Sequence, residues 1–444
     1  MKKTKLWSKE EIEDALSQKI EKFTVGRDRE FDFLLAPFDL IGTIAHVKML
    51  ESIGYLSSLE LNQIVKELEL MLDKANAGEL AIDPGVEDIH SQIELHLTQT
   101  LGEAGKKIHT GRSRNDQVAL AIKLYLRSEL KAIAKLSKEL FDTLLELSEQ
   151  HKKVLIPGYT HYQIGMPSSI GLWLSAFAES LSEDLEMLST AFSVVSKNPL
   201  GSGAGYGSSF PLDRDFTTRE LGLERMNINS IYAQMTRGKS EKITAMALYT
   251  IAGTIGKLAG DICLFSNQNF GFISFPSHLT TGSSIMPHKK NPDVFELIRG
   301  KASRIQSLPN ELTLLTHNLL TGYNRDYQLT KEILFPGIKE LKDCLELFSY
   351  MLKHMNVKEG VLEDKKYEYL FSVEKINTLM QEGHSFREAY VIVGKSIEKG
   401  TFHWDRTELS HTHKGSIGNL CLEEIRKEFL QVYQNFKNET TGFH

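Results

Sequence analysis

From Arg112 to Ile156 the chain runs 45 residues without a glycine or a proline. Within that run, apolar side chains recur at Ile122, Leu126, Leu130, Ile133, Leu136, Leu140, Leu144 and Leu147. Seven steps cover 25 residues, about 3.6 per step, which is the period of an α-helix. A helix of that length extends roughly 65 Å at 1.5 Å per residue. A single small domain cannot bury so long a stripe, so the run predicts a coiled coil or an extended bundle. Three further segments repeat the pattern: 172–198, 239–269 with glycines only at 253, 256 and 260, and 294–307. Strand patterns are scarce and no βαβ alternation is present. The expected fold class is all-α, with an N-terminal helical region over 1–108, a central region of long helices over 109–355 and a C-terminal helical region over 356–444. No proline occurs in the last 108 residues.

Composition narrows the function classes. The chain has 444 residues, 41% apolar and 25% charged, as an ordinary globular protein has. A net charge of −6 gives no support to nucleic-acid binding. Cys263, Cys344 and Cys421 are far apart and odd in number. They make no disulfide framework or metal spacing and suit a reducing compartment. The basic start leads into acidic Glu10 and Glu11 rather than an apolar leader. No 18 apolar residues run together, so no membrane span is expected. The cytoplasm is the expected location.

Three polar segments punctuate the long helices. His109-Thr110-Gly111-Arg112-Ser113-Arg114-Asn115-Asp116-Gln117 sits where the long helix should begin. A helix N-terminus offers free N–H groups and a positive dipole end, and two arginines beside it suit a carboxylate or phosphate. The plainer reading is an ordinary helix start capped by Ser113 or Asn115. Pro157-Gly158-Tyr159-Thr160-His161-Tyr162-Gln163 ends that helix. His161 is a candidate proton donor or acceptor, although a lone histidine is more often a packing residue. The third segment, Gly282-Ser283-Ser284-Ile285-Met286-Pro287-His288-Lys289-Lys290-Asn291-Pro292, holds hydroxyls, ammonium groups and an amide. Its glycine and prolines argue against a strand or helix interior. It reads as a cationic loop suited to an anion. Glu296 follows one turn into the next helix, where it either orients an imidazole or is a surface carboxylate. Gly201, Gly203, Gly205 and Gly207 lack the context of a phosphate loop and read as a turn region. His411 and His413 have no third ligand nearby, so no metal site is expected.

The segment GSSIMPHKKNPD resembles the signature loop of the fumarase/aspartase superfamily. HTGRSRNDQVA (109–119), PGYTHYQ (157–163) and GSSIMPHKKNPDVFELIRGKASR (282–304) resemble the argininosuccinate lyase family more specifically. So do the trio Tyr323, Gln328 and Lys331 in TGYNRDYQLTK, and the segments DLIGTIAHVKML (39–50) and GSIGNL (415–420). The resemblance spans about 30 to 420. It implies a three-domain subunit whose long central helices join those of other copies in a homotetrameric bundle. It implies anti elimination of argininosuccinate to arginine and fumarate, in arginine biosynthesis, with no metal or organic cofactor. By the same resemblance Ser283 is the base, Lys289 stabilises the aci-carboxylate-like intermediate, and His161, oriented by Glu296, protonates the leaving nitrogen. Ser113, Arg114, Asn115, Thr160 and Asn291 hold the succinyl carboxylates, and Tyr323, Gln328 and Lys331 the amino-acid end. The three polar segments come together from different copies.

The chain departs from the family pattern in three places. His288 stands where glutamine is usual. An FNxSI segment, whose serine contacts substrate, is replaced by Val25-Gly26-Arg27-Asp28-Arg29, where Arg27 or Arg29 is the expected substitute. An SDRD segment is replaced by Met235-Thr236-Arg237-Gly238, which keeps only the arginine. The rival functions are another superfamily lyase (adenylosuccinate lyase, fumarase or aspartase) and a non-catalytic crystallin-like scaffold. Retention of His161, Ser283 and Lys289 speaks against the scaffold.

Overall fold

The structure is a computed structural model that describes residues 15–437 apart from 84, 85, 87, 406–408 and 410. Helices α1 (Ala15–Val25), α2 (Asp28–Ser52), α3 (Ser58–Asn76), α4 (Ile89–Leu101) and the single turn α5 (Glu103–Lys106) come first. The centre holds α6 (Arg114–Gln150), α7 (Ile170–Val195), α8 (Arg214–Glu220), α9 (Ser230–Met235), α10 (Lys239–Phe265), α11 (Asp293–Ile305), α12 (Leu308–Thr316) and α13 (Thr330–Leu352). Then follow α14 (Ser372–Gln381), α15 (Phe386–Glu398) and α16 (Leu422–Tyr433). Among the described residues, strands occur only in two-stranded pairs: β1 (Leu155–Thr160) with β2 (Gln163–Ser169), β3 (Lys197–Asn198) with β4 (Arg225–Met226), β5 (Ile273–Ser274) with β8 (Asn356–Val357), and β6 (Thr281–Gly282) with β7 (Lys290–Asn291). The fold is all-α.

Local chemistry sets the helix limits. Ser57 and Glu60 form a capping box at α3, as Ser113 and Asp116 do at α6 and Ser385 and Glu388 at α15. Helix α6 covers 37 residues rather than the 45 of the uninterrupted run. Its last predicted residues, Leu155 and Ile156, pair instead with Ser169 and Ser168 of β2. Pro157 disfavours helical geometry at Ile156, so the run does not stay helical to its end.

The predicted stripe faces the core. Ile122, Leu126, Leu130, Ile133, Leu140 and Leu144 are fully buried, and Leu136 and Leu147 pack partly buried beside them. Helix α7 runs antiparallel to α10: Trp173 Nε1 donates to Asp261 (3.1 Å) near one end, and Thr254 Oγ1 to Asp184 (2.6 Å) further along. Helix α13 crosses the first half of α6, where the Tyr125 and Phe335 rings meet at 4.2 Å and Lys342 pairs with Glu129 at 2.5 Å. A second apolar cluster ties α2, α3 and α4 together through Leu40, Ile64, Leu68 and Ile93.

Helices α2 and α10 are long and apolar enough to cross a membrane by length and composition, with 67% and 44% of their most apolar windows buried inside the fold. Asp32, Asp39 and His46 lie on the buried face of α2, which marks it as a core helix of this protein. Helix α10 leaves Met246, Tyr249 and Leu264 exposed.

Asp184 offers a test of the α7–α10 packing. Burial pushes its carboxyl up from 3.8 to about 6, against the pull of the Thr254 and Thr250 hydroxyls. The folded state therefore holds this proton more tightly than the unfolded chain. That advantage is complete below about pH 4 and lost as pH rises through 6, a swing of about 3 kcal/mol. Asp184→Asn is neutral throughout. Its stability relative to the parent should rise between pH 4 and 7, read as the difference in melting midpoints. A pH-independent difference would contradict the buried carboxyl.

Candidate active site

The first site segment is built around a helix start. Ser113 caps α6, its Oγ accepting the Asn115 N–H at 3.3 Å while its own N–H donates to Asp116 (2.9 Å). The buried Asp116 carboxylate also accepts the N–H groups of Gly201 (3.0 Å) and Gly203 (2.9 Å). These glycines sit at φ +83° and +61°, conformations that favour glycine. The glycine-rich turn is thus a clamp on the helix start. Burial pushes the Asp116 carboxyl up to about 6, with the three N–H donors and Arg112 pulling it down. Arg114 is held by Ser91 Oγ (3.1 Å) and lies 3.6 Å from Asp88. The segment is the capped helix start that the plainer reading expects, and Arg114 and Asn115 of it line a cavity.

That cavity, of about 270 Å³, joins Arg114 and Asn115 to Tyr323, Gln328 and Lys331, more than 200 residues later. Lys331 is buried between Asp28 (2.5 Å) and Asp32 (2.8 Å). Gln328 Nε2 donates to the carbonyls of Thr24 (3.0 Å) and Val25 (3.1 Å). Arg237 also lines the cavity; its Nε pairs with Glu241 (3.2 Å), and its NH2 donates to the carbonyl of Tyr327 (3.1 Å). Gly238 follows at φ +73°, where an added Cβ would stand 2.6 Å from Thr316. The aspartate of the family's SDRD pattern would bring that Cβ. The expectation that Arg27 or Arg29 replaces the N-terminal contact is corrected. Arg27 points outward onto Glu30 (2.8 Å), Arg29 is not among the lining residues, and Asp28 is the residue of that segment that faces the cavity. Reading the sequence alone missed Asp28 and Asp32 as a pair, although a spacing of four on a helix puts them on one face.

The remaining site residues lie elsewhere. Strands β1 and β2 form a hairpin whose tip is His161-Tyr162, both at positive φ (+53° and +61°), with Thr160 paired to Gln163. Two positive φ values are the type I′ turn. Neither residue is glycine or asparagine, so the tip holds strain of about 1–3 kcal/mol per residue. His161 and Thr160 are exposed, and Tyr162 is 92% exposed. The third segment is the loop that its glycine and prolines predict. It is closed at its base by a short ladder, Thr281 opposite Asn291 and Gly282 opposite Lys290. Thr281 Oγ1 ties the ladder to Asp293 at the start of α11, and Asn291 Nδ2 reaches Thr281 Oγ1 at 3.4 Å. Ser283 Oγ accepts the N–H groups of Ile285 (3.3 Å) and Met286 (3.1 Å). Lys289, His288 and Glu296 are exposed. Within one chain no hydrogen bond joins Glu296 to His161 among the described residues.

Length keeps these groups apart. The 37 residues of α6 span about 55 Å, with Arg114 and Asn115 at one end and the His161 hairpin beyond the other. Helix α10 starts next to Arg237 and ends at Phe265, whose ring meets Trp173 at 5.0 Å, near the hairpin. Tyr159 of the hairpin meets Phe270 at 5.6 Å. Glu296 acts electrostatically on Cys263 at that same end of α10. One end of the subunit therefore carries the cavity with Arg114, Asn115, Tyr323, Gln328 and Lys331. The other carries His161 and Glu296, with the Ser283 loop leading into α11.

Residues 10–307 match a family described as lyase. The argininosuccinate lyase of Bacteroides thetaiotaomicron is 53% identical over 97% of this chain and 96% of its own length. That of Thermotoga neapolitana is 38% identical over 88% of this chain and 98% of its own. Among solved structures, EDDS lyase in complex with formate superposes with a TM-score of 0.76 at 21% identity, covering 92% of this chain and 88% of that one, a likeness of fold. With a near-full-length match to these lyases and the family's polar segments at the helix ends, the chain belongs to the argininosuccinate lyase family of the fumarase/aspartase superfamily.

Proposed function

We propose that this protein cleaves argininosuccinate to L-arginine and fumarate by general base and general acid catalysis, as a step of arginine biosynthesis. The observation that carries the reading is the 53% identity to argininosuccinate lyases over 97% of the chain. The cavity that gathers Arg114, Asn115, Tyr323, Gln328 and Lys331 supports it.

The chemistry requires removing a weakly acidic proton from carbon beside a carboxylate. In this reading Ser283 takes it. A serine hydroxyl is a poor base unless its alkoxide is stabilised, and the two N–H groups already aimed at Ser283 Oγ favour that charged form. Lys289 meets the charge that builds up on the substrate carboxylate, and Asn291 holds that carboxylate. His161 protonates the departing guanidino nitrogen, with Glu296 orienting the imidazole. Ser113, Arg114, Asn115 and Thr160 grip the succinyl carboxylates, while Tyr323, Gln328 and Lys331 take the amino-acid end.

A roughly 55 Å helix between Asn115 and His161 supports a reading in which these roles meet between copies. We therefore infer a homotetramer with shared sites. The exposed Met187 of α7, Met246, Tyr249 and Leu264 of α10 and Leu347 and Tyr350 of α13 offer apolar surface for it. The division into domains at 1–108, 109–355 and 356–444 belongs to the same reading. So does a cytoplasmic location, which the three free cysteines support.

Fumarate release from argininosuccinate by the purified protein tests the function directly. Failure on argininosuccinate, with release from another fumarate-yielding substrate, would move the chain to a different lyase. A zero rate on all of them from a folded protein would favour the scaffold. Ser283→Ala should fold normally and lose roughly 10²–10⁴-fold in turnover; normal turnover would remove Ser283 as the base. His161→Asn should slow cleavage by a comparable factor with KM within a few-fold of the parent. Unchanged turnover would take His161 out of catalysis.

A further inference from the structure

Arg237 is what this chain keeps of the family's SDRD pattern, and the structure gives it different partners. Thr236 and Gly238 stand where that pattern has aspartates. Thr236 turns its hydroxyl away, onto the carbonyl of Ala233 (2.7 Å). The carboxylate comes instead from Glu241, one turn along α10 and 3.2 Å from Arg237 Nε. Both side chains are sealed off, 4% and 1% exposed. A guanidinium paired with one carboxylate still has N–H donors to place, and NH2 places one on the carbonyl of Tyr327 at 3.1 Å.

Tyr327 lies in the middle of the segment expected to read the amino-acid end, in the 3-10 turn Arg325–Leu329 between Tyr323 and Lys331. Its carbonyl also accepts the Thr330 hydroxyl (2.7 Å), whose oxygen is 3.5 Å from the same Glu241 oxygen that Arg237 meets. The Arg237 guanidinium stands 5.8 Å from the centre of the Tyr327 ring, a cation–π distance. Gly238 lets the ring come close, since a Cβ there would stand 3.1 Å from Tyr327 Cε1. Gln328 follows Tyr327 directly and Lys331 lies one turn beyond, so the aim of both depends on how this carbonyl and ring are held.

We propose that Arg237, held by Glu241, is a positioning residue that sets the Tyr323–Lys331 segment for the substrate's amino-acid end. This rests on the argininosuccinate reading above. Arg114 and Asn115, assigned to the succinyl carboxylates, are fixed by separate contacts: Ser91, Asp88 and the cap of α6. Loosening the Arg237–Tyr327 link therefore weakens one end of the ligand and spares the other.

Two variants test it. Arg237→Lys keeps the positive charge, and with it the pull that Arg237 exerts on the Asp28 carboxyl, but an ammonium lacks the fork that serves Glu241 and the Tyr327 carbonyl together. Thr330→Val removes the second donor to that carbonyl at a position 0% exposed, out of reach of any ligand. In both, KM for argininosuccinate and the inhibition constant for arginine should rise about tenfold. Turnover and the inhibition constant for fumarate should stay within about threefold of the parent. If only one variant folds, its constants decide. Arginine and fumarate weakened alike would make the pair ordinary core support and overturn the proposal, as would unchanged constants or the failure of both variants to fold. A change confined to Arg237→Lys when both fold would make Arg237 a direct substrate contact and overturn it too. A parent that releases no fumarate from argininosuccinate would instead overturn the functional reading.

Discussion

The length of α6 governs the rest of the molecule. Thirty-seven residues set about 55 Å between its ends. The capped start, with Ser113, Arg114 and Asn115, cannot meet the His161 hairpin in the same chain. The apolar stripe that stabilises the helix packs against α7 and α13, so bending it enough to close the gap would break the core. The proposed site, built from both ends, needs neighbouring copies, and the apolar side chains left exposed on α7, α10 and α13 offer them surface to bury.

The two ends also differ physically. At the cavity end, charges are buried and paired: Asp116 under three N–H donors, Arg237 on Glu241, Lys331 between Asp28 and Asp32. Breaking any of these strands a buried charge or donor, so this end is rigidly specified. At the other end His161, Thr160, Lys289 and Glu296 are exposed in a single chain. Ser283 is the exception there, since its oxygen already sits under two amide N–H groups. The division matches the proposed roles, with recognition on the fixed end and proton transfer on groups that a neighbouring copy completes.

Local signals carried much of this to the level of sequence. The 3.6-residue period marks the buried face of α6, because every one of those side chains answers to the same core. The capping residues Ser57, Ser113 and Ser385 are legible because the partner of each lies three residues away. Where the partner lies far off, the sequence is silent. Lys331 and Asp32 are 299 positions apart, and Asp116 reaches Gly203 across 87, so neither pairing leaves a local trace. The early end of α6 is not visible in its period, because the pairing of Ile156 with Ser168 depends on a partner outside the window that periodicity samples. In the sequence the glycine-rich stretch reads only as a turn, and its use as a clamp on Asp116 appears only in three dimensions.

The claim that copies share each site is tested most directly by mixing two variants damaged at opposite ends of α6. Asn115→Ala and His161→Asn should each release little fumarate alone. Dissociated and reassembled together in equal amounts, they should form sites in which both residues are native, restoring about a quarter of the parent rate if copies assort at random. A mixture no more active than its parts, with reassembly verified, would place Asn115 and His161 in the same chain's site and contradict the account.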